Sequence, residues 1–383
     1  MRPGTADLDL THPAISDLRR RAKRRIPHFA FEYLDSATGS EAAARRNRTA
    51  LDAVLFQPRI LGGNLTYSTA THLLERDYPL PFGIAPIGMA GMIWPDAERL
   101  LARAAQAHHI PYCQSTVAAA SPADTGPLAG DMGWFQHYPV HDLGIMQDML
   151  SRIADAGFHT LVITVDVPGE SRRERQRRAH VAMPPRLTPS MLVSMAKHPA
   201  WAIAMARTGA PRMPFPESYV DASAQDKFVH AGRVIRGWPD WSYLAALRHA
   251  WPGTLVVKGI SDPATVPRLL GSGTDALWVS NHTGRQFEGG PAAITQLPLI
   301  RRAAGPDVPI LFDSGIDGGL DILRALALGA DFTFLGRAFM YAVAAFGARG
   351  IDHLIHILRA DLEANMAQLG AATLRDVKER LLP

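Results

Sequence analysis

Only one cysteine, Cys113, occurs among the 383 residues. A single thiol excludes an intrachain disulfide and a cysteine metal cluster, and its apolar setting, "IPYCQST", reads as buried strand. Lysine is scarce as well: of 40 basic residues only Lys23, Lys197, Lys227, Lys258 and Lys378 are not arginine. No uninterrupted apolar run reaches the ~18 residues that a spanning helix needs. The opening "MRPGTADLDL" lacks the apolar core of a secretory signal, so a cytoplasmic location is expected. A formal charge of +4 is too small to imply nucleic acid, and the six basic residues of 19–25 read as a solvated helix face. Metal signatures such as H-E-x-x-H or C-x-x-C are missing, and no metal site is expected. There is no Walker A sequence, and "GSGTDA" (271–276) fits the dinucleotide glycine pattern but precedes a strand where it should follow one.

What is present is alternation. Apolar runs rich in Val, Ile and Leu recur at 81–88, 111–116, 134–140, 160–166, 254–260, 276–281, 309–315 and 332–337. Such continuous runs suit strands buried on both faces of a parallel sheet. Segments of helical period separate them, among them 96–109, 142–157, 262–273 and 321–330, often opened by Asp or Ser and closed by Gly. Eight strand–helix units predict an α/β fold, a (β/α)8 TIM barrel, although an open doubly wound sheet would alternate too. Residues 1–75 form an N-terminal helical extension, 76–345 the barrel and 346–383 C-terminal helices, all in one domain. A long insertion, 167–253, follows the fourth strand; its middle, 188–216, is rich in Met, Ala, Trp and Pro.

Polar residues gather at the C-terminal ends of the strands, where barrel active sites lie. The third strand delivers Gln136 and Tyr138, the fourth Thr164 and Asp166, the fifth Lys258. Asn281, His282 and Arg285 follow the sixth, Asp313 and Ser314 end the seventh, and Gly336 with Arg337 ends the eighth. Lys258 terminates an apolar run, which suits a lysine aimed at an electron-rich cofactor atom or forming a Schiff base. Asp166 is expected to pair with His282, since a carboxylate fixes the tautomer and raises the basicity of an imidazole. The glycine-bearing turns "FDSGIDGG" (312–319) and "FLGRAF" (334–339) suit a ligand phosphate, pointing to FMN or pyridoxal phosphate.

"VSNHTGRQ", with "IPHFAFEYLDSATGSE", "GIAPIGMAGM", "WFQHYPV", "TVDVPGESRRE", "VVKGI", "DSGI" and "ALALGADFTFLGRAF", resembles the FMN-dependent L-2-hydroxy acid dehydrogenases and oxidases over about residues 12 to 380. The resemblance implies FMN as cofactor and a homotetramer. It makes His282 the base, supported by Asp166. Tyr33, Arg173, Arg285 and Tyr138 become contacts to the substrate, and Lys258 lies near the flavin ring. Ser115, Gln136 and Thr164 are implied as ring contacts, and Asp313, Gly315, Gly336 and Arg337 as ribityl and phosphate contacts. Gly88 matches a place near the reacting flavin atom that is glycine in dehydrogenases and alanine in oxidases. The expected reaction is oxidation of a 2-hydroxy acid, lactate first and mandelate-like acids second, with electrons passing to a quinone or another non-oxygen acceptor; the alternatives are an oxygen-using oxidase and a flavin-binding relative with impaired turnover. The segment 188–216, with Trp201, several Met, Arg207 and Arg212, resembles a peripheral membrane contact on the inner face of the cell membrane. Two positions depart from the pattern. Thr283 stands where the family has Gly, and Asp317 where an Arg usually meets the phosphate, so that Asp317 is expected either to weaken FMN or to cap a helix.

Overall fold

The structure is a computed structural model that describes residues 6–181, 188–220 and 237–382, together with Gly232, Val234 and Ile235. Eight strands form a closed parallel barrel: β1 (Phe82–Ile84), β2 (Tyr112–Ser115), β3 (Gly133–His137), β4 (Thr160–Thr164), β5 (Thr254–Ile260), β6 (Ala276–Val279), β7 (Ile310–Phe312) and β8 (Phe332–Leu335). Seven lie wholly inside their apolar runs, and β3 begins one residue before its own. The barrel closes where β8 pairs with β1, Thr333 against Phe82 and Leu335 against Ile84. A doubly wound sheet is thereby excluded.

Alternation along the strands sorts the interior into layers. The lower layer is apolar. The Phe334 ring lies 4.2 Å from Trp278 and 5.3 Å from Trp134, and Gly83 lets it in, because a Cβ there would stand 2.7 Å from the ring. Two residues further along each strand the same face turns polar: Gln136 above Trp134, Thr164 above Val162 and Lys258 above Val256. Register aligns them, with Ser115 beside Gln136 and Thr164 beside Lys258.

The N-terminal extension is helical: α1 (Ala6–Thr11), α2 (Ile15–Arg25), α3 (His28–Asp35) and α4 (Ala42–Asp52). In α2 the spacing of Ile15, Leu18 and Ala22 buries one stripe against the helix Arg337–Phe346. Its basic residues are partly engaged, Arg19 with Asp35 at 2.5 Å and Arg25 over the Trp94 ring at 3.9 Å. Between β1 and β2, Ala97–His108 opens after Asp96 in a left-handed conformation without a side-chain cap. By contrast, Asp142 caps Leu143–Asp155 as its sequence suggests, accepting from Gly144 and Ile145.

The insertion after β4 contributes the helices Glu174–Arg178, Pro189–Ala196, Pro199–Thr208, Pro214–Glu217 and Trp241–Ala250. Here one expectation needs correcting. Trp201 does not face outward: it is buried, its Nε1 donates to the carbonyls of Met92 and Ile93, and its ring packs edge-on to Phe29. Met191, Met205 and Met213 are buried too, and Arg212 is held by Glu217 at 2.7 Å. The large apolar residues that the segment exposes are Leu192, Val193 and Ile203.

Candidate active site

The polar layer holds one closely knit charge pair. Lys258 Nζ lies 2.8 Å from Asp313 Oδ2 and donates to Ser280 Oγ at 2.9 Å. Ser280 and Ser314 both donate to Asp313 Oδ1 at 2.6 Å. Burial would lower the Lys258 pKa, but Asp313 and Asp166 outweigh it and raise it. A lysine held protonated in an ion pair is a poor carbonyl nucleophile, which argues against the Schiff-base alternative.

Beyond β6 the chain turns sharply, with His282 at φ 53° and Thr283 at φ 55°. Ser314 Oγ accepts from the Asn281 and Thr283 amides, Ser280 Oγ accepts from the His282 amide at 3.0 Å, and Asn281 exchanges hydrogen bonds with Asn47 of α4. This turn presents His282 Nδ1 to Asp166 Oδ1 at 3.3 Å, as the residue types suggest. Burial lowers the His282 pKa, helped by Lys258 and Arg173 and opposed by Asp166. Against the burial that would raise it, Asp166 is held below its ordinary value by His282 and Lys258. The pair is therefore a neutral imidazole beside a carboxylate at neutral pH, an arrangement able to accept a proton.

Two arginines flank it. Arg285 donates to the carbonyls of Tyr33 (3.0 Å), Leu34 (3.3 Å) and Ser36 (2.8 Å) at the end of α3. Three of its five N–H groups are thus committed and two remain. Burial and the nearby Arg173 and Arg337 push its pKa down to about 9. Arg173 donates to Gln286 Oε1 at 2.9 Å and Ser171 Oγ at 3.0 Å. Among the described residues neither arginine has a carboxylate partner. Tyr33 Oη donates to the Gly88 carbonyl at 3.1 Å. Burial raises the Tyr33 and Tyr138 pKa values, keeping both phenols as hydrogen-bond donors. The arrangement is an electropositive cluster with a base at one side, complementary to a small anion that carries an acidic proton.

On the other side of the polar layer, Ser115 donates to Gln136 Oε1 at 2.9 Å, while Gln136 Nε2 is buried without a partner. Thr164 is buried beside them. Further round the barrel, Arg337 donates through Nη2 to the Ser36 carbonyl at 2.9 Å, and its buried Nε has no partner. Gly336 precedes it at the end of β8, and Gly315 turns at φ 101° after β7. Asp317 is not a helix cap: the helix Gly319–Ala327 is capped at Gly318.

Residue types alone do not single out Ser280, Asn47 or Glu98. Ser280 lies within the quoted motif yet reads as strand. Asn47 gives no signal. Glu98 does, since it shares the buried face of its helix with Leu101, Ala102 and Ala105; it accepts from the amides of Gly91 and Ala119 and ties the loop after β1 to the loop after β2.

A family model described as FMN-dependent dehydrogenase matches residues 22–383. The chain is 35% identical over 370 residues to an L-lactate dehydrogenase of Acinetobacter baylyi, covering 96% of each chain. It is equally 35% identical over 371 residues to an L-lactate dehydrogenase of a Caulobacter species, covering 96% of this chain and 97% of that one. Among solved structures, the monotopic membrane protein (S)-mandelate dehydrogenase matches with a TM-score of 0.90 at 29% identity, over 96% of this chain and 98% of that one. A mandelate oxidase matches with a TM-score of 0.80 at 30% identity, over 97% and 98%.

Proposed function

The chain belongs to the FMN-dependent dehydrogenase family, and from that premise we propose that it oxidises a small L-2-hydroxy acid, L-lactate first, to the 2-oxo acid and passes the electrons to a quinone or another non-oxygen acceptor. The observation that carries this reading is the half-buried pair Arg173 and Arg285, without a carboxylate partner among the described residues, beside the neutral base His282. A 2-hydroxy acid supplies the missing carboxylate and the proton. Uncommitted N–H groups of both guanidiniums bind that carboxylate in a fork, Tyr33 and Tyr138 hold the substrate from the side, and His282 removes the hydroxyl proton. Asp166 then stabilises the imidazolium.

FMN, when bound, would supply the acceptor for the α-hydrogen and for the two electrons that leave the substrate. This chain's residues fit it. The orphaned Gln136 Nε2 is a ready donor to a ring carbonyl, with Ser115 and Thr164 at its side. Lys258, kept charged by Asp313, favours negative charge on the ring. Gly315, Gly336 and the orphaned Nε of Arg337 serve the ribityl chain and the phosphate. Asp313 contributes through Lys258.

Lactate is favoured by the two curated relatives at 35% identity. A second reading, a larger acid such as mandelate, is favoured by the likeness to the (S)-mandelate dehydrogenase structure, with its TM-score of 0.90. No helix of the described residues is long and apolar enough to cross a membrane. Peripheral attachment through exposed Leu192, Val193 and Ile203, on the cytoplasmic side and as a homotetramer, completes the reading. To test it, the flavin spectrum of the purified protein is recorded anaerobically with L-lactate, L-mandelate and their D-enantiomers. Bleaching by one L-acid, reversed by a quinone and only slowly by air, supports the proposal. Rapid reversal by air makes the protein an oxidase, and no bleaching with any 2-hydroxy acid sinks the reading.

A further inference from the structure

Residues 165–173, between β4 and the helix Glu174–Arg178, form neither helix nor strand. Arg173 at their end must nevertheless stand in a fixed relation to Arg285, on a different loop, for the two to grip one carboxylate. Its own backbone has φ 42°, a left-handed conformation that a bulky residue keeps only where its surroundings hold it. Arg285 is fixed by the carbonyls at the end of α3. The segment that carries Arg173 is tied to that same helix end by Arg175 and its two neighbours.

All three nitrogens of the Arg175 guanidinium are engaged. Nε and Nη2 donate to Glu32 at 2.6 and 3.0 Å, Nη2 also to Asp35 at 2.9 Å, and Nη1 to Glu41 at 3.1 Å. Glu174 accepts from the Gly39 amide at 2.8 Å. The buried Gln176 donates to the Tyr33 carbonyl and to Ser36 Oγ, at 3.2 and 3.1 Å. Tyr33 and Ser36 therefore hold both Arg285 and the helix of Arg175. Asp35 is the firm end of the contact: its side chain is 2% exposed, and it also accepts from Arg19 and Tyr341, at 2.9 and 2.7 Å. Burial would raise its pKa, but Arg19, Tyr341 and Arg175 outweigh it and hold it below its ordinary value. A buried polar network satisfied in this way is rigid.

We propose that Arg175 is a positioning residue for substrate binding: its hold on Glu32, Asp35 and Glu41 sets the spacing and angle of the Arg173 and Arg285 guanidiniums, and with them the affinity for the substrate carboxylate. This rests on the carboxylate-binding reading proposed above.

The test uses the flavin-loaded full-length chain and oxalate, an unreactive carboxylate whose binding is read from the visible spectrum of the flavin, with steady-state kinetics alongside. Arg175→Gln is expected to weaken oxalate by roughly tenfold or more and to raise KM by as much, with kcat lowered by less than about threefold. Arg175→Lys keeps the charge but has no planar fork for three carboxylates; it is expected to fall in between, and it carries the test should the glutamine variant not fold. In an Arg173→Met background the same changes are expected to cost no further affinity. An oxalate affinity that neither Arg175 variant moves, whatever their melting temperatures, or a loss of equal size with and without Arg173, overturns the inference and leaves the functional reading intact. A wild type that holds flavin but neither binds oxalate nor is reduced by any 2-hydroxy acid overturns both.

Discussion

A Cβ on Gly88 would stand 2.6 Å from Cγ2 of Val117 and 3.6 Å from the hydroxyl of Tyr33, so the loops after β1 and β2 meet at a distance only glycine permits. The same Tyr33 hydroxyl donates to the Gly88 carbonyl, and Glu98 ties the two loops together from behind. Gly88→Ala must therefore push one loop off the other. Overpacking of this kind costs about 1–3 kcal/mol. The variant is expected to melt lower and to lose kcat/KM as Tyr33 shifts. Val117→Ala in the same chain makes room for the new methyl and restores both. A double variant no better than Gly88→Ala would place the strain elsewhere.

The Asp166–His282 contact has a pH signature. His282 is lowered from its ordinary value, and Asp166 is the group that opposes the lowering. As pH falls through the folded pKa the imidazole is protonated, and kcat/KM falls with it. Asp166→Asn removes the group that favours the imidazolium, so the acid limb moves to lower pH. The plateau drops by roughly 10²-fold or more, because the imidazolium formed in the reaction is no longer stabilised. A plateau that drops with an unmoved limb would mean that Asp166 acts on substrate binding and not on His282.

Lys258 and Asp313 are both nearly inaccessible, which makes their pairing obligatory in the fold. Lys258→Met leaves a buried carboxylate with only two serine hydroxyls as partners. Removing one member of such a pair typically costs about 3–5 kcal/mol. Adding Asp313→Asn is expected to recover part of that, giving a coupling of about 1–3 kcal/mol in a double-mutant cycle. Urea unfolding of the flavin-free chains measures it. Strict additivity would show that the charges are screened from each other.

The barrel and the ends of its strands were legible because burial on both faces leaves continuous apolar runs, and a polar residue at the end of such a run stands out. Lys258, His282 and Asp166 declared themselves in that way. Ser280 and Asn47 did not. A serine inside a strand and an asparagine on a helix carry no mark of the ion pair or turn that they hold in place, since those partners lie 33 and 234 residues away in sequence. Trp201 misled for the opposite reason. In sequence, an aromatic amid Met and Ala fits a lipid contact and a core anchor equally well, and only the carbonyls of Met92 and Ile93 decide.

That correction narrows the proposed membrane contact to fewer side chains. The segment rests on α3, with the His28 amide donating to Ser194 Oγ at 3.3 Å, directly after the basic stretch of α2. Its exposed large apolar side chains are Leu192, Val193 and Ile203. Replacing all three by serine is expected to abolish co-sedimentation with anionic vesicles while leaving the melting temperature unchanged. Trp201→Ser should instead destabilise the fold, because it empties a buried site. Retained vesicle binding by the triple variant would remove this segment as the anchor.

Thr283 follows His282 in the turn after β6 at φ 55° and ψ 35°, a left-handed conformation that β-branched residues rarely adopt. Strain of this sort costs about 1–3 kcal/mol. It is held by Ser314 Oγ on the Thr283 amide at 3.1 Å and by Asn281 Oδ1 on the Gly284 amide at 3.2 Å. Gly284 itself cannot carry a side chain, since a Cβ would stand 2.6 Å from the Ala44 nitrogen. Thr283→Gly releases the strain, and after the greater freedom of glycine in the unfolded chain is subtracted, a gain of about 1 kcal/mol is expected. The position of His282 is set by Ser280, Ser314 and Asp166, all still present in the variant, so its kcat should survive. A loss of stability in urea unfolding would mean that the threonine side chain contributes more by packing than its backbone loses by strain.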